Sequence, residues 1–238
     1  MASTSPRILI VTPTYNEAAN LEQFVEGVLR WLPEAHMMIV DDASPDGTGD
    51  IADRIAAADP RVRVMHRPGK LGLGTAYTQA FMRGLADGYD LFFEMDADHS
   101  HDPMYLPSFM KAFARGADVV IGSRNIPGGG VTGWSVGRHL LSKGGSLYSR
   151  TILGVDVRDL TAGYKGFRAD VLRALDLPNV QSNGYSFQIE MTYRALQKGY
   201  RVVEVPIHFV DRTHGTSKMS HRIFLEAVGI VWKLRFER

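Results

Sequence analysis

Leu91-Phe92-Phe93-Glu94-Met95 leads directly into Asp96-Ala97-Asp98, and this join between an apolar run and a carboxylate pair decides the reading of the fold. A run of that length and composition is a buried strand, so the pair sits at a strand's carboxyl end. Two such charges repel each other by about a few kcal/mol at a protein-like dielectric, and a divalent cation is the simplest relief. The chain is therefore expected to handle phosphates.

Similar runs at 8–11, 37–40, 62–65 and 119–121 read as four further strands, and the segments 20–32, 49–58, 75–86 and 104–114 have helical length and amphipathic spacing. Strand and helix alternate, which is the pattern of an α/β fold with a mostly parallel sheet, right-handed crossovers and flanking helices. Ligands of such sheets bind beyond the carboxyl ends of the strands. The polar clusters Pro13-Thr14-Tyr15-Asn16-Glu17, Asp41-Asp42 and Asp96-Ala97-Asp98 all fall there. After Gly122 the rhythm changes, through Ser123-Arg124-Asn125 and a flexible Gly128-Gly129-Gly130, to a helix over 138–153. A strand at 164–168, a helix at 187–199, strands at 202–205 and 207–210, and a last helix from about residue 220 complete the expectation.

With 238 residues, 45% of them hydrophobic, the chain can bury one large core. The expected organisation is a single domain over 1–238, with a nucleotide-binding half (1–122), an acceptor-binding half (123–219) and a C-terminal amphipathic helix (220–238). A net charge of +1 gives no support to a nucleic-acid partner. The absence of cysteine excludes disulfides and thiolate metal sites. The apolar run at 8–11 is too short for a signal peptide, and neither it nor the stretch at 227–232 could cross a bilayer. A cytoplasmic location is expected, with any membrane contact at the surface.

Several motifs admit competing readings. Asp41-Asp42 precedes Ala43-Ser44-Pro45-Asp46-Gly47-Thr48, which is either a solvated turn or a strand tip offering carboxylates to a ribose or base. Gly72-Leu73-Gly74 lacks a third glycine, since Tyr77 stands in its place, and reads as a loop opening a helix. The segment 96–102 fails as an EF-hand, because its sixth position is not glycine and Pro107 occupies the place of the closing glutamate. His99 and His101 lack a third zinc ligand at familiar spacing. An aspartyl-phosphate phosphatase, whose first Asp would be the nucleophile, is the serious rival, although that motif belongs on the first strand. Arg124, Arg138, Lys143, Arg212 and Lys218 are solvated charges taken singly; taken together with a metal they suit a pyrophosphate and a second phosphate.

Assembled in order, Pro13 to Glu17, Val40-Asp41-Asp42 with Ala43 to Thr48, Asp96-Ala97-Asp98, Gly122-Ser123-Arg124, the triple glycine with Trp134, Arg138 with Ser142-Lys143, and Asp211-Arg212 to Ser217-Lys218 resemble the inverting family 2 glycosyltransferases. Within that family the likeness is to polyprenol (dolichol) phosphate mannose synthases. The resemblance implies a GT-A (Rossmann-like) fold and inverting transfer of mannose from GDP-mannose to a polyprenyl phosphate, giving a β-linked product. It implies that Pro13, Tyr15, Glu17, Val40 and Asp42 hold the nucleoside, with Asp96 and Ala97 beside the ribose and phosphates. Asp98 is the implied main ligand of Mg²⁺ or Mn²⁺. Where relatives carry Gln two residues later this chain has Ser100, which leaves Ser100, His101 or a water as the second ligand. Arg212 is the implied cation for the leaving diphosphate, with Lys218 and Arg124 also donor-facing, and Arg124, Arg138, Ser142 and Lys143 are assigned to the acceptor phosphate. That phosphate, with a second pKa of ~6, is already mostly dianionic at neutral pH and needs little help from a base.

The residues at 220–238 carry Ile223, Phe224, Val228, Val231, Trp232 and Leu234 among Arg222, Lys233, Arg235 and Arg238. That composition suits either a core helix or an interfacial helix resting peripherally on the cytoplasmic face of an anionic membrane. A separate membrane-anchoring protein is left open. Transfer from UDP-glucose, the phosphatase, and a non-catalytic nucleotide-sugar sensor are the alternative functions.

Overall fold

The computed structural model describes residues 5–180, 182, 184–211 and 221–236, of which residues 136, 138, 140, 185 and 221–228 are described by backbone alone. The β-branched and aromatic runs form β1 (Ile8–Thr14), β2 (His36–Asp41), β3 (Val62–His66), β4 (Leu91–Glu94) and β5 (Val119–Ser123). Between them lie α1 (Leu21–Trp31), α2 (Thr48–Ala58), α3 (Leu73–Ala86) and, after a 3-10 turn, α4 (Leu106–Ala114). The second half adds β6 (Gly130–Thr132), α5 (Val136–Leu153), β7 (Lys165–Arg168), α6 (Ala169–Ala174), α7 (Gly184–Gln197), β8 (Val202–Pro206), β9 (His208–Val210) and α8 (His221–Phe236).

Seven strands form one sheet in the order β3-β2-β1-β4-β7-β5-β8. All neighbours are parallel except β7, which runs antiparallel to both β4 and β5. Both faces are covered. Leu9, Val11, Phe92 and Phe167 pack with Tyr77, Phe81 and Phe187 on one side, while Ile8, Ile10, Met37, Ile39 and Phe93 pack with Phe24, Val28, Phe109 and Phe113 on the other. Burial on both faces explains why these strands read as continuous apolar runs and not as alternating ones.

Three features depart from the sequence expectation. The strand at 165–168 inserts antiparallel between β4 and β5, a placement set by its long-range pairing and not by local pattern. The short helix α6 follows it immediately. The glycine run leads into regular structure: Gly130 opens β6, which pairs with β9 in a separate two-stranded sheet. A Cβ on Gly129 would lie 2.5 Å from the Ser123 carbonyl oxygen, so this glycine answers a close backbone approach.

Candidate functional site

The carboxyl ends of β1, β2 and β4 meet at one rim, and each continues into a loop containing a non-glycine residue in the left-handed region: Asn16 (φ 63°), Ala43 (φ 52°) and His99 (φ 62°). Such conformations cost free energy and collect where a loop must present side chains in a fixed direction. The first two loops are laced together. The successive backbone N–H groups of Asn16, Glu17 and Ala18 donate to Ser44 Oγ (3.1 Å), Thr48 Oγ1 (2.9 Å) and Asp46 Oδ2 (3.1 Å). Partial burial works to raise the pKa of Asp46, but the Thr48 hydroxyl and the backbone N–H groups outweigh it and hold the carboxyl below its usual range. The 43–48 turn therefore shapes the tip of β1 and is more than a solvated bend.

The two carboxylates ending β2 face different partners. Asp41 accepts from Thr14 Oγ1 (3.1 Å), Ser44 N (3.1 Å) and Ser44 Oγ (2.6 Å). Asp42 is gripped at both oxygens by Arg67, from Nε at 2.6 Å and Nη2 at 2.7 Å. Tyr15, beside them, lies under the ammonium of Lys70, 4.2 Å from the ring centroid. Sequence reasoning missed Arg67 and Lys70; their only signal was their position just after a strand. Val40, assigned to the nucleoside, has its side chain sealed in the core, so any contact it makes is through its backbone or by shaping the pocket from behind.

At β4, Asp98 is almost fully buried, and its Oδ1 accepts both the Ser100 backbone N–H (3.1 Å) and the Ser100 hydroxyl (2.5 Å). Ser100 thereby braces Asp98 and leaves Oδ2 as the oxygen not engaged by it. His101 is held at the same turn. Its Nδ1 accepts from the Asp96 backbone N–H at 2.9 Å, which assigns the ring proton to Nε2, and the ring stacks on Tyr164 at 5.1 Å. Tyr77 donates from α3 to Asp96 Oδ1 at 3.4 Å. Burial first, then the charges of Asp96 and Glu94, push the Tyr77 phenol well above its ordinary range and keep it a donor.

Below this turn lies a polar layer that sequence reasoning did not find. Glu94 on β4 stands opposite Lys165 on β7, and both are wholly buried. Glu94 Oε2 accepts from Gln188 Nε2 (2.7 Å), while Lys165 Nζ donates to the Gln188 carbonyl (2.6 Å) and Thr192 Oγ1 (2.8 Å). Burial pushes Glu94 up to about 8 and pulls Lys165 down to about 8, each partly offset by the other's charge. No sequence pattern could announce the pair, because β7 reaches β4 only through tertiary pairing.

At the carboxyl end of β5, Arg124 is committed rather than simply solvent-facing. Its Nε and Nη2 donate to the two oxygens of Asp159, each at 2.7 Å, and its backbone N–H adds a third bond at 3.0 Å. Burial works to raise the Asp159 pKa, but the Arg124 charge and hydrogen bonds outweigh it and hold the carboxyl below its usual range. Glu204 in turn accepts the backbone N–H groups of Arg158 (2.9 Å) and Asp159 (3.0 Å), fixing the loop. The rings of Trp134 and Phe209 each lie 5.4 Å from the guanidinium. Ser142 is half-buried and Lys143 exposed on α5, one turn after the backbone of Arg138. The Arg138 side chain, Arg212 and Lys218 lie outside what is described.

The donor set suits a hard divalent ion. Asp96 and Asp98 supply carboxylate oxygen, and among the described residues no group of three or more His, Cys, Asp or Glu could hold a metal by itself. Two carboxylates on one turn fit an ion that keeps waters and shares ligands with a phosphate substrate, as Mg²⁺ and Mn²⁺ do. No described helix is long and apolar enough to cross a membrane.

Comparison with known proteins follows the same lines. The family model described as Glycosyl transferase family 2 matches residues 9–176. An undecaprenyl-phosphate mannosyltransferase of Micrococcus luteus is 52% identical over 93% of this chain and 91% of its own. A polyprenol monophosphomannose synthase of Mycolicibacterium smegmatis is 50% identical over 96% of this chain and 88% of its own. Among solved structures, glucosyl-3-phosphoglycerate synthase from Mycobacterium tuberculosis in complex with Mn²⁺, UDP-glucose and phosphoglyceric acid superposes with a TM-score of 0.71 at 18% identity, over 97% of this chain and 80% of that one. A mannosyltransferase from Pyrobaculum calidifontis in complex with GDP-Man and Mn²⁺ gives 0.62 at 18% identity, over 98% and 64%.

Proposed function

The chain belongs to glycosyl transferase family 2, and from that premise we propose that it transfers mannose from GDP-mannose to the phosphate of a polyprenyl lipid, with inversion at the sugar carbon. The observation that carries the reading is kinship at about half identity, over nearly the whole chain, with two relatives named for mannosyl transfer to polyprenyl phosphate. The rim geometry supports it. Pro13, Tyr15, Glu17 and Asp42 would line the nucleoside side with Val40 behind them, and Asp96 and Ala97 would lie toward the ribose and phosphates. The resemblance to family 2 enzymes is what assigns them in this order along β1, β2 and β4.

Asp98 and Asp96 would hold Mg²⁺ or Mn²⁺, with Ser100 fixing the orientation of Asp98. Such an ion supplies charge to the diphosphate as the sugar bond breaks. Tyr77 orients Asp96 from below, and the His101 ring locks the turn that carries both carboxylates. The acceptor phosphate, as a dianion, attacks without a dedicated base; the chain's task is to place one anion beside another. Arg138, Ser142 and Lys143 take that role along α5. Arg124 adds its guanidinium in an orientation set by Asp159, and Arg212 and Lys218 complete the cationic set around the donor. The unit is read as one domain, with α8 resting on the membrane surface that contains the acceptor.

The test is transfer of radiolabel into organic extract from GDP-mannose or UDP-glucose, with polyprenyl phosphate and Mg²⁺ or Mn²⁺. Label should pass from GDP-mannose. Label from UDP-glucose alone would overturn the donor, and phosphate release from simple esters without transfer would restore the phosphatase.

A further inference from the structure

We propose that Glu204, on the edge strand β8, is a positioning residue for the acceptor phosphate, which aims Arg124 by holding the backbone of the loop that carries Asp159. The inference rests on the reading that Arg124 meets that phosphate.

A chain of contacts runs from β8 to the guanidinium. Glu204 stands beside Ile121 in the parallel pairing of β8 with β5, and its two oxygens take one backbone N–H each, that of Arg158 at Oε2 and that of Asp159 at Oε1. Both bonds converge on one peptide segment. From the other side Asn125 Nδ2 donates to the Arg158 carbonyl at 3.1 Å, so residue 158 is gripped at its N–H and at its C=O. Asp159 then takes Arg124 through Nε, Nη2 and the backbone N–H, and Thr161 Oγ1 accepts from Nη2 at 3.2 Å. The Asp159 side chain is fully buried and that of Arg124 only 8% exposed. The two rings beside the guanidinium, Trp134 and Phe209, meet each other edge to face at 5.4 Å.

The shape of a guanidinium turns this grip into a direction. Its three nitrogens radiate from Cζ in one plane at about 120°, so a carboxylate seated on the edge between Nε and Nη2 leaves Nη1 pointing directly away from it. Nη1 is the end that an incoming phosphate meets. Any shift of the 158–159 segment passes through Asp159 to that end, because the fork is planar and rigid. Placing one anion beside another leaves little tolerance, since a misplacement of about 1 Å can cost on the order of a hundredfold in rate. Glu204 is suited to this local task and not to holding the fold. It is half-buried on an edge strand and belongs to neither apolar core, and the pairing of β8 with β5 is made by backbone bonds.

The test is steady-state transfer by the full-length protein, with GDP-mannose varied against a short-chain prenyl phosphate and the reverse, for the original chain, Glu204→Gln, Asn125→Ala and Arg124→Lys. Folding is checked by circular dichroism and thermal melting. Glu204→Gln keeps the size but sets an amide NH₂ against one of the two backbone N–H groups. The KM for the prenyl phosphate should rise about tenfold, roughly the effect of losing one hydrogen bond to a charged group, while the KM for GDP-mannose stays within about twofold. A merely structural role would lower the active fraction, and so kcat, and leave both KM values in place. Asn125→Ala, which releases the Arg158 carbonyl, should move the same KM in the same direction by a smaller factor. Arg124→Lys, which cannot reproduce the fork, should raise it at least as far as Glu204→Gln. A folded Glu204→Gln whose acceptor KM is unchanged, or whose donor KM rises equally, overturns the inference and leaves the proposed function standing. Should that variant not fold, an unchanged acceptor KM in Asn125→Ala overturns it instead. An unchanged acceptor KM in Arg124→Lys overturns the reading of Arg124 and the inference with it, whereas failure of the original chain to transfer mannose overturns the proposed function itself.

Discussion

Asp98 depends on Ser100 for its direction, because both donors of that residue converge on Oδ1. Asp98→Asn keeps the shape but replaces half of the carboxylate by an amide that repels a cation, so transfer should fall to background while the far-ultraviolet spectrum is retained. Ser100→Ala removes one of the two braces, leaving the backbone bond. Its transfer rate should fall by about tenfold, roughly the worth of one hydrogen bond to a charged group, and higher metal concentration should recover part of it. Full activity in Asp98→Asn would refute the metal role, and a Ser100→Ala loss untouched by metal would place Ser100 elsewhere in the mechanism. At this scale the sequence was partly legible. Asp96 and Asp98 announce themselves by lying one residue apart after an apolar run, since local spacing alone brings them to one turn. Arg67, Asp159, Lys165 and Gln188 do not, because each meets its partner from more than 20 residues away in the chain.

The helices of the second half offer the surface proposed to meet lipid. On α8, Trp232 is 45% and Phe236 73% exposed, with their rings stacked at 5.8 Å, while Val231 and Leu234 turn inward. Leu141 and Leu147 are also exposed on α5, against which α8 packs. Lys233 and Arg235 lie beside the aromatic pair. Aromatic side chains with basic neighbours on one helix are suited to the headgroup region of an anionic bilayer. The double variant Trp232→Glu with Phe236→Glu should therefore lose most sedimentation with vesicles containing anionic lipid, and raised salt should weaken the binding of the original protein. Equal sedimentation of variant and original would remove α8 from the contact. Periodicity made most elements legible here, the first five strands and their helices falling within a few residues of the expected bounds. The failures share one cause. β6 went unread and β7, expected as a strand, took an unforeseen antiparallel place, because both are positioned by partners distant in sequence, β9 for one and β4 with β5 for the other.

At the scale of the molecule, the proposed donor site joins parts of the chain that share one sheet. Its walls would come from the ends of β1, β2 and β4 and the start of α3; the three strands contribute to both cores flanking the sheet, and α3 to one of them. A ligand that bridges these tips must be released before the sheet can open, so its binding free energy adds to global stability and not merely to local order. GDP at about a hundredfold over its Kd should contribute about 2.7 kcal/mol. For a chain of this size that raises Tm by roughly 5–10 °C. Because two carboxylates at Asp96 and Asp98 repel a diphosphate unless a cation intervenes, the shift should require Mn²⁺ or Mg²⁺ and should largely vanish with a chelator. Guanosine, which lacks the diphosphate, should give a smaller shift that the chelator leaves unchanged. Differential scanning fluorimetry across these four conditions separates the parts of the site: an undiminished GDP shift in chelator would detach the carboxylate pair from the diphosphate, while a guanosine shift equal to that of GDP would confine binding to the nucleoside wall around Tyr15 and Asp42.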